Sequence, residues 1–371
     1  MVPEKLKIGI LGTRGIPNRY GGFEQFAQYL SKGLLEKGCE VYVYNSHNHP
    51  YKKIEWEGVQ IIHKYDPEHR IGTSGQFFYD LNCIIDARQR SFDIILLLGY
   101  TSSSIWHRFL PKKPIIITNM DGLEWKRSKY SPTVKRFLLE AERWAAKRSN
   151  LLIADSQEIK KYLDQKFSTE SVYVSYGAKI FKNSDDSILE SYNVEKGDYH
   201  VLIARLEPEN NIETILKGVL KSQSQRVTLV VGNHETPYGE YLKTTFKDNR
   251  IRFVRGTYKK EKINNLRYFS HLYFHGHSVG GTNPGLLEAM ASSCLIVAHD
   301  NAFNREVLGD NAYYFHDEID IANSLDHMER GLRQKEQIKK NLISIKDHYN
   351  WQLIAEEYEV VFQQALIGRR S

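Results

Sequence analysis

Residues His275 to Ala291 read His-Gly-His-Ser-Val-Gly-Gly-Thr-Asn-Pro-Gly-Leu-Leu-Glu-Ala-Met-Ala, a glycine loop running into a helix pattern. Gly280 and Gly281 free the backbone, Asn283 suits a helix cap and Pro284 a first helical turn. A helix start of this kind presents unpaired N–H groups and a partial positive charge, which seats a phosphate or diphosphate. Glu288 follows one turn inside the helix. Its carboxylate would repel phosphate but accepts hydrogen bonds from sugar hydroxyls attached to one. Phosphate and sugar together point to a nucleotide-sugar; the competing reading is an ordinary strand-to-helix turn with a surface glutamate.

Other residues extend that chemistry. Arg205 ends a predicted strand, and its fixed fork of donors matches phosphate oxygens, although Glu207 and Glu209 also offer it a surface ion pair. Gly21 and Gly22 precede a helix pattern starting at Phe23, where they let the backbone close on a ligand or simply make a turn. Asp121, after the Ile115–Thr118 strand, is placed to orient or deprotonate an acceptor hydroxyl, or to cap a turn. Tyr258 is a candidate for stacking on a base, against a core or surface role. His47 with His49 and His275 with His277 form i,i+2 pairs, but no carboxylate cluster joins them, so no metal site is expected.

These groups need a scaffold, and the chain is long enough for two cores: 371 residues, 41% hydrophobic and 26% charged. Mean hydropathy of -0.50 and the lack of any long apolar run describe a soluble cytoplasmic protein without a signal peptide. Cys39, Cys83 and Cys294 form no CxxC pair and read as buried small hydrophobes. A net charge of +6 fits anionic partners without choosing among them. From Trp125 to Arg148, basic residues alternate with aromatic ones, which suits either loose contact with an anionic membrane or a solvated helix face. No nucleic-acid motif accompanies the charge.

The pattern begins as βαβ: a strand at Lys7–Leu11, a helix from Phe23 to Glu36 and a strand at Glu40–Tyr44. Its glycines miss the G-x-G-x-x-G spacing and no ribose-binding acid ends the second strand, which disfavours a nicotinamide cofactor. Strands follow at Val59–His63, Asp93–Leu98, Pro114–Thr118, Leu151–Ala154 and Tyr173–Tyr176. After a polar stretch the pattern restarts with strands at His200–Ala204, Thr228–Val231, Arg250–Val254, the run before His275, and Leu295–Ala298.

The whole resembles the GT-B glycosyltransferases, in particular glycosyltransferase family 4. The resemblance rests on the glycine-rich first loop, the Ala154-Asp-Ser156-Gln-Glu158 turn, the Ala204-Arg205-Leu206 strand end and the Leu287-Glu288-Ala289-Met290-Ala291 helix. Asn119-Met-Asp-Gly-Leu-Glu-Trp125, Ala204-Arg-Leu-Glu-Pro-Glu-Asn-Asn211 and Gly280-Gly-Thr-Asn-Pro284 look most like a bacterial branch associated with rhamnosyl transfer to cell-surface polysaccharide. The resemblance implies that Arg205 binds the donor diphosphate, Glu288 the ribose, and the Gly281, Thr282 and Asn283 backbone the phosphate and sugar, with a retaining outcome. Two departures stand out: the family's lysine after the arginine is Asn210 here, and its first glutamate is Gly280. A 6-deoxy sugar fits the lost carboxylate, and His275, His277 and Arg255 are candidates to replace the lost charge.

The expected architecture is therefore α/β, GT-B, with two doubly wound Rossmann-like domains facing across a cleft. Residues 1–180 form the acceptor-side domain with helix 351–367 docking back on it, 181–198 a linker, and 199–350 the nucleotide-sugar-binding domain. The expected activity is metal-independent transfer of a sugar, L-rhamnose from dTDP-rhamnose, to a hydroxyl of a lipid-linked saccharide. No cofactor is expected, only the nucleoside diphosphate sugar as co-substrate. A nucleotide-sugar epimerase or hydrolase on the same fold, and a degenerate non-catalytic subunit, remain as rivals.

Overall fold

The computed structural model describes residues 5–19, 21–257 and 259–368. The chain divides into two units: residues up to 125, 130–176 and from 351 onward form one, and 126–129 with 177–350 form the other.

The first unit is built on an eight-stranded sheet of β1 (Lys7–Leu11), β2 (Glu40–Ser46), β3 (Glu55–Trp56), β4 (Val59–Lys64), β5 (Ile94–Leu98), β6 (Ile115–Asn119), β7 (Leu151–Ala154) and β8 (Val172–Tyr173). Their order is β3-β4-β2-β1-β5-β6-β7-β8, parallel throughout except for the antiparallel β3–β4 pair. Crossovers cover both faces, so the central strands are apolar without alternation, and all five residues of β5 are buried. The second unit carries a wholly parallel sheet of β9 (Tyr199–Ile203), β10 (Val227–Gly232), β11 (Ile251–Arg255), β12 (Tyr273–His275), β13 (Ile296–His299) and β14 (Tyr313–Phe315). Its order is β11-β10-β9-β12-β13-β14.

Two sequence expectations change. The Tyr173–Tyr176 strand is only the short Val172–Tyr173 pair, because beyond Ala154 its neighbour β7 offers no further partners. The polar stretch 181–198 is not a free connector but part of the second unit. Phe181 N–H donates to the Ala291 carbonyl (2.9 Å), Asp185 N–H to Asn265 Oδ1 (2.7 Å), and Leu189 is buried on a 3-10 turn spanning Asp186–Tyr192. Among the described residues no helix is long and apolar enough to cross a membrane.

Within the first unit, helix Trp351–Gly368 packs along helix Gly22–Glu36. Phe26 meets Tyr176, Trp351 and Tyr358 edge-on at 5.2, 5.9 and 5.4 Å, and Tyr29 stacks on Trp351 at 4.9 Å. Tyr358 also accepts a hydrogen bond from Asn119 Nδ2 at 3.0 Å, which ties the closing helix to the end of β6. The helices can approach this closely because of Gly33: a Cβ there would lie 2.5 Å from that of Ala355. Gly33→Leu is expected to destabilise the first unit by about 1–3 kcal/mol through overpacking, despite leucine's better helix propensity. Chemical denaturation followed by tryptophan fluorescence checks this; unchanged stability would mean the contact is slack.

Candidate functional site

The order of the second sheet reverses between β9 and β12, the place where open α/β sheets bind ligands beyond the carboxyl ends of their strands. The two loops leaving these strands are joined. Asn211 Nδ2 donates to the Gly276 carbonyl (2.8 Å), while Ser278 donates to the Glu209 carbonyl through its N–H (3.1 Å) and its hydroxyl (2.7 Å). The approach is so close at Gly276 that a Cβ would stand 2.0 Å from the Asn210 carbonyl oxygen. Asn210, at the position of the missing lysine, is buried and donates from Nδ2 to the Arg205 carbonyl at 2.7 Å.

Arg205 itself is exposed at this junction, and no described carboxylate lies within ion-pairing distance of it. Its acidic neighbours are engaged by residues at the start of the basic, aromatic 125–148 segment. Arg127 lies 3.4 Å from Glu207 and 3.7 Å from Glu209, Lys129 donates to Glu207 at 2.8 Å, and Ser128 donates to Glu209 at 3.0 Å. Burial opposes the Glu207 charge, but Lys129, Arg205 and Arg127 outweigh it and hold its pKa below the ordinary carboxylate value.

His275 and His277 stack with centroids 4.5 Å apart. Burial first, then Arg205 and Arg127, push the His277 pKa down to about 3, and burial followed by His277 and Arg267 takes His275 well below its usual value. Both rings are neutral near pH 7. Burial and the nearby arginines therefore disfavour a positive charge on either ring. Arg255 is exposed and paired with Glu235 at 3.6 Å.

Asn283 caps helix Pro284–Ala291 as expected, and the cap changes the site. Pro284 has no N–H, Gly285 N–H is taken by Asn283 Oδ1 (2.8 Å), and Leu286 and Leu287 donate to the Asn283 carbonyl (3.0 and 3.2 Å). The helix end thus keeps its dipole but not a row of open donors, so an anion would meet the preceding Gly280, Gly281 and Thr282 loop. Gly280 sits at φ +127° with open space around it, a conformation that disfavours any side chain.

Glu288 is about one-fifth exposed and is tied to a residue the reading overlooked. Arg267, only 3% exposed, donates to it at 2.7 Å and to Asn264 Oδ1 at 3.1 Å; Lys260 lies 4.0 Å away. Burial opposes the Arg267 charge, yet Glu288 sustains it and holds its pKa above the usual value. Burial, reinforced by Arg267, lowers that of Lys260 against the pull of Glu288. The only sequence signal was an arginine on the helix preceding β12.

Gly21, Gly22 and Asp121 belong to the first unit. Gly21 is the extended residue before the helix and Gly22 its first member, while the buried Glu24 accepts from Arg14 N–H (2.9 Å) and closes the glycine loop after β1. Asp121 follows β6 in a left-handed conformation (φ 52°), its N–H donating to Asn119 Oδ1 at 3.1 Å. Tyr258 lies outside the described residues.

Solved structures share this architecture. Sucrose-phosphate synthase from Thermosynechococcus elongatus is 14% identical over 98% of this chain and 100% of its own, with a TM-score of 0.78. HepE from Anabaena, solved with UDP and glucose, is 14% identical over 97% and 99%, with a TM-score of 0.76. A trehalose 6-phosphate synthase from Burkholderia multivorans is 12% identical over 99% and 98%, with a TM-score of 0.70. The fold is GT-B, two Rossmann-like α/β units. More particularly, residues 185–344, within the second unit, match the family model for glycosyl transferases group 1, and residues 5–179 match Domain of unknown function (DUF1972). No curated protein matches the chain in sequence.

The buried histidines make the second unit acid-sensitive. His200, lowered to about 3 by burial, joins His275 and His277 in staying unprotonated when folded. The unfolded chain takes up those protons near pH ~6.5, so the stability they contribute is present above that value and lost as pH falls, at ~1.4 kcal/mol per unit for each ring. Asp80 in the first unit has the opposite sign: burial raises it to about 7, so its folded form keeps a proton the unfolded chain releases. His200→Leu is expected to flatten the acid-side fall of the second unit by about one proton between pH ~6.5 and ~4.5. Scanning calorimetry across that range checks it; an unaltered slope would show that the folded protein carries a charged His200.

Proposed function

We propose that this protein transfers a sugar from a nucleoside diphosphate donor to a hydroxyl of a lipid-linked saccharide in cell-surface polysaccharide synthesis, at the cytoplasmic side of a membrane. The observation that carries this reading is the exposed, unpaired Arg205 beside the Gly280–Asn283 loop, in a domain of glycosyltransferase sequence. The donor we favour is dTDP-L-rhamnose, on the resemblance of the Asn119–Trp125, Ala204–Asn211 and Gly280–Pro284 segments to the rhamnosyl-transferring branch. UDP-glucose is the comparison donor, since HepE was solved with it. Thermal shift and transfer assays across dTDP- and UDP-sugars test the choice, because a bound donor stabilises the fold by mass action. A donor consumed without any acceptor and released as epimerised or free sugar would overturn transfer in favour of epimerisation or hydrolysis.

In this reading Arg205 and the loop N–H groups stabilise negative charge on the departing diphosphate, and Asp121 orients or deprotonates the acceptor hydroxyl. Gly21 and Gly22 let the loop after β1 come close to a ligand, while His277 donates or accepts a neutral hydrogen bond. Arg205→Ala is expected to lower turnover by roughly two to three powers of ten with the fold retained, since an exposed charge is removed from developing charge. Glu288→Gln acts differently, because it strands a buried guanidinium as well as weakening ribose binding. It should lower both donor affinity and melting temperature. Arg267→Gln/Glu288→Gln should recover the melting temperature without recovering affinity. If the double variant binds donor like the wild type, the carboxylate is structural and the ribose assignment fails.

The transfer we propose needs no divalent metal, because protein donors cover the diphosphate. Rates with and without EDTA should agree; loss of transfer in EDTA with recovery on adding a divalent cation would overturn this part of the mechanism.

A further inference from the structure

Helix Pro132–Arg148, whose sequence suggests a membrane-lying segment, turns its aromatic residues inward. Phe137 lies 5.9 Å from Phe77, and Trp144 stacks on His107 at 5.8 Å. The apolar surface that remains comes from three neighbouring elements. Phe78 (51% exposed) and Ile85 (44%) stand two turns apart on helix Gly75–Ala87, Ile105 (38%) and Phe109 (46%) lie on the 3-10 stretch Ser104–Phe109, and Val134 (39%) is in the first turn of helix Pro132–Arg148. Hydrogen bonds hold these elements side by side. Trp106 Nε1 donates to the Phe77 carbonyl (2.7 Å), Arg88 Nη1 to that of Phe109 (3.2 Å), and Arg148 Nε to that of His107 (3.1 Å). Single exposed apolar residues are ordinary, but a group of large ones on adjoining elements marks an interaction site.

The same elements carry exposed Arg88, Arg108, Arg136, Lys147 and Arg148, besides Arg143, which Glu140 neutralises. The other acids do not cancel that charge: Asp80 is buried, Asp86 is held by Lys64 and Arg90, and Glu142 by Lys166. We propose that this composite face docks on an anionic bilayer, with Phe78, Ile85, Ile105, Phe109 and Val134 at the lipid boundary and the cations over the headgroups. A second copy of the chain is disfavoured as occupant, because the face would meet its own positive charge. The inference stands on this surface alone and does not depend on the donor or acceptor proposed above.

The test uses the full chain with vesicles of phosphatidylcholine alone and of phosphatidylcholine with phosphatidylglycerol. Sedimentation should show binding to the anionic vesicles that weakens steeply from about 0.05 to about 0.5 M NaCl as surface charge is screened. Arg136→Gln/Lys147→Gln should weaken binding by about thirtyfold, the scale of two cations at an anionic leaflet. Phe78→Ser/Phe109→Ser should abolish the binding that survives at high salt. All four side chains lie outside the donor and acceptor site, so circular dichroism and transfer to a soluble acceptor should stay at wild-type levels. Equal, salt-independent binding to both vesicle types would overturn the proposal. So would a wild-type dimer in solution that Phe78→Ser/Phe109→Ser dissociates, since the face would then belong to a second copy.

Discussion

A strand cannot reach a parallel neighbour through a tight turn; the chain must leave one end of the sheet, cross a face and start again at the other. That constraint governs both units here. It covers each sheet on both faces, which is why β5 can be a run of five buried aliphatic residues. It also gathers the carboxyl ends of the parallel strands along one edge. Where strand order reverses, two loops at that edge part, and the second unit reverses between β9 and β12. Arg205 and Asn210 follow β9 and His277 and Gly280 follow β12, so two stretches about seventy positions apart fall on the two loops at that reversal.

Charge is managed differently around Arg205 and around Glu288. Around Arg205, Glu207 and Glu209 stand close enough in sequence to quench it, yet they are engaged by Arg127, Ser128 and Lys129, leaving the guanidinium exposed without a carboxylate partner. Around Glu288 the reverse holds. The carboxylate keeps a window to solvent while its partner Arg267 is sunk in the unit, where a cation requires a counter-ion. One charge is left available by pairing its neighbours, and the other is fixed in place by a buried partner.

What was legible in the sequence follows from range. The central strands announce themselves as short apolar runs, and Asn283 is a recognisable cap that does cap its helix. Edge strands such as β3 and β8 are two residues long and carry no periodic signal. The Arg127 and Lys129 contacts with Glu207 span about eighty positions, and nothing local distinguishes those cations from the basic residues after them. Neutral histidines were also hidden, because their state depends on burial and on arginines brought up by folding. Asn283 is recognisable as a cap, but the consequence of capping is not local: satisfying the helix end removes the donors that would make it an anion seat.

The two departures from the resembled family are coupled to backbone, not merely to side-chain identity. Residue 210 is buried and holds the Arg205 carbonyl through its amide, so a lysine there would lose that bond and bring a desolvated ammonium toward Arg205. Residue 280 sits at φ +127°, where a glutamate would be strained. The loops could not simply accept the family residues; their paths would have to change. For the proposed donor this leaves sugar recognition at residue 280 without a carboxylate, and with the histidines neutral it falls to backbone groups and uncharged side chains. Neutral hydrogen bonds contribute less than charge-assisted ones. A sugar with fewer hydroxyls to satisfy loses least at such a site, which is the physical ground for favouring a deoxy sugar over glucose.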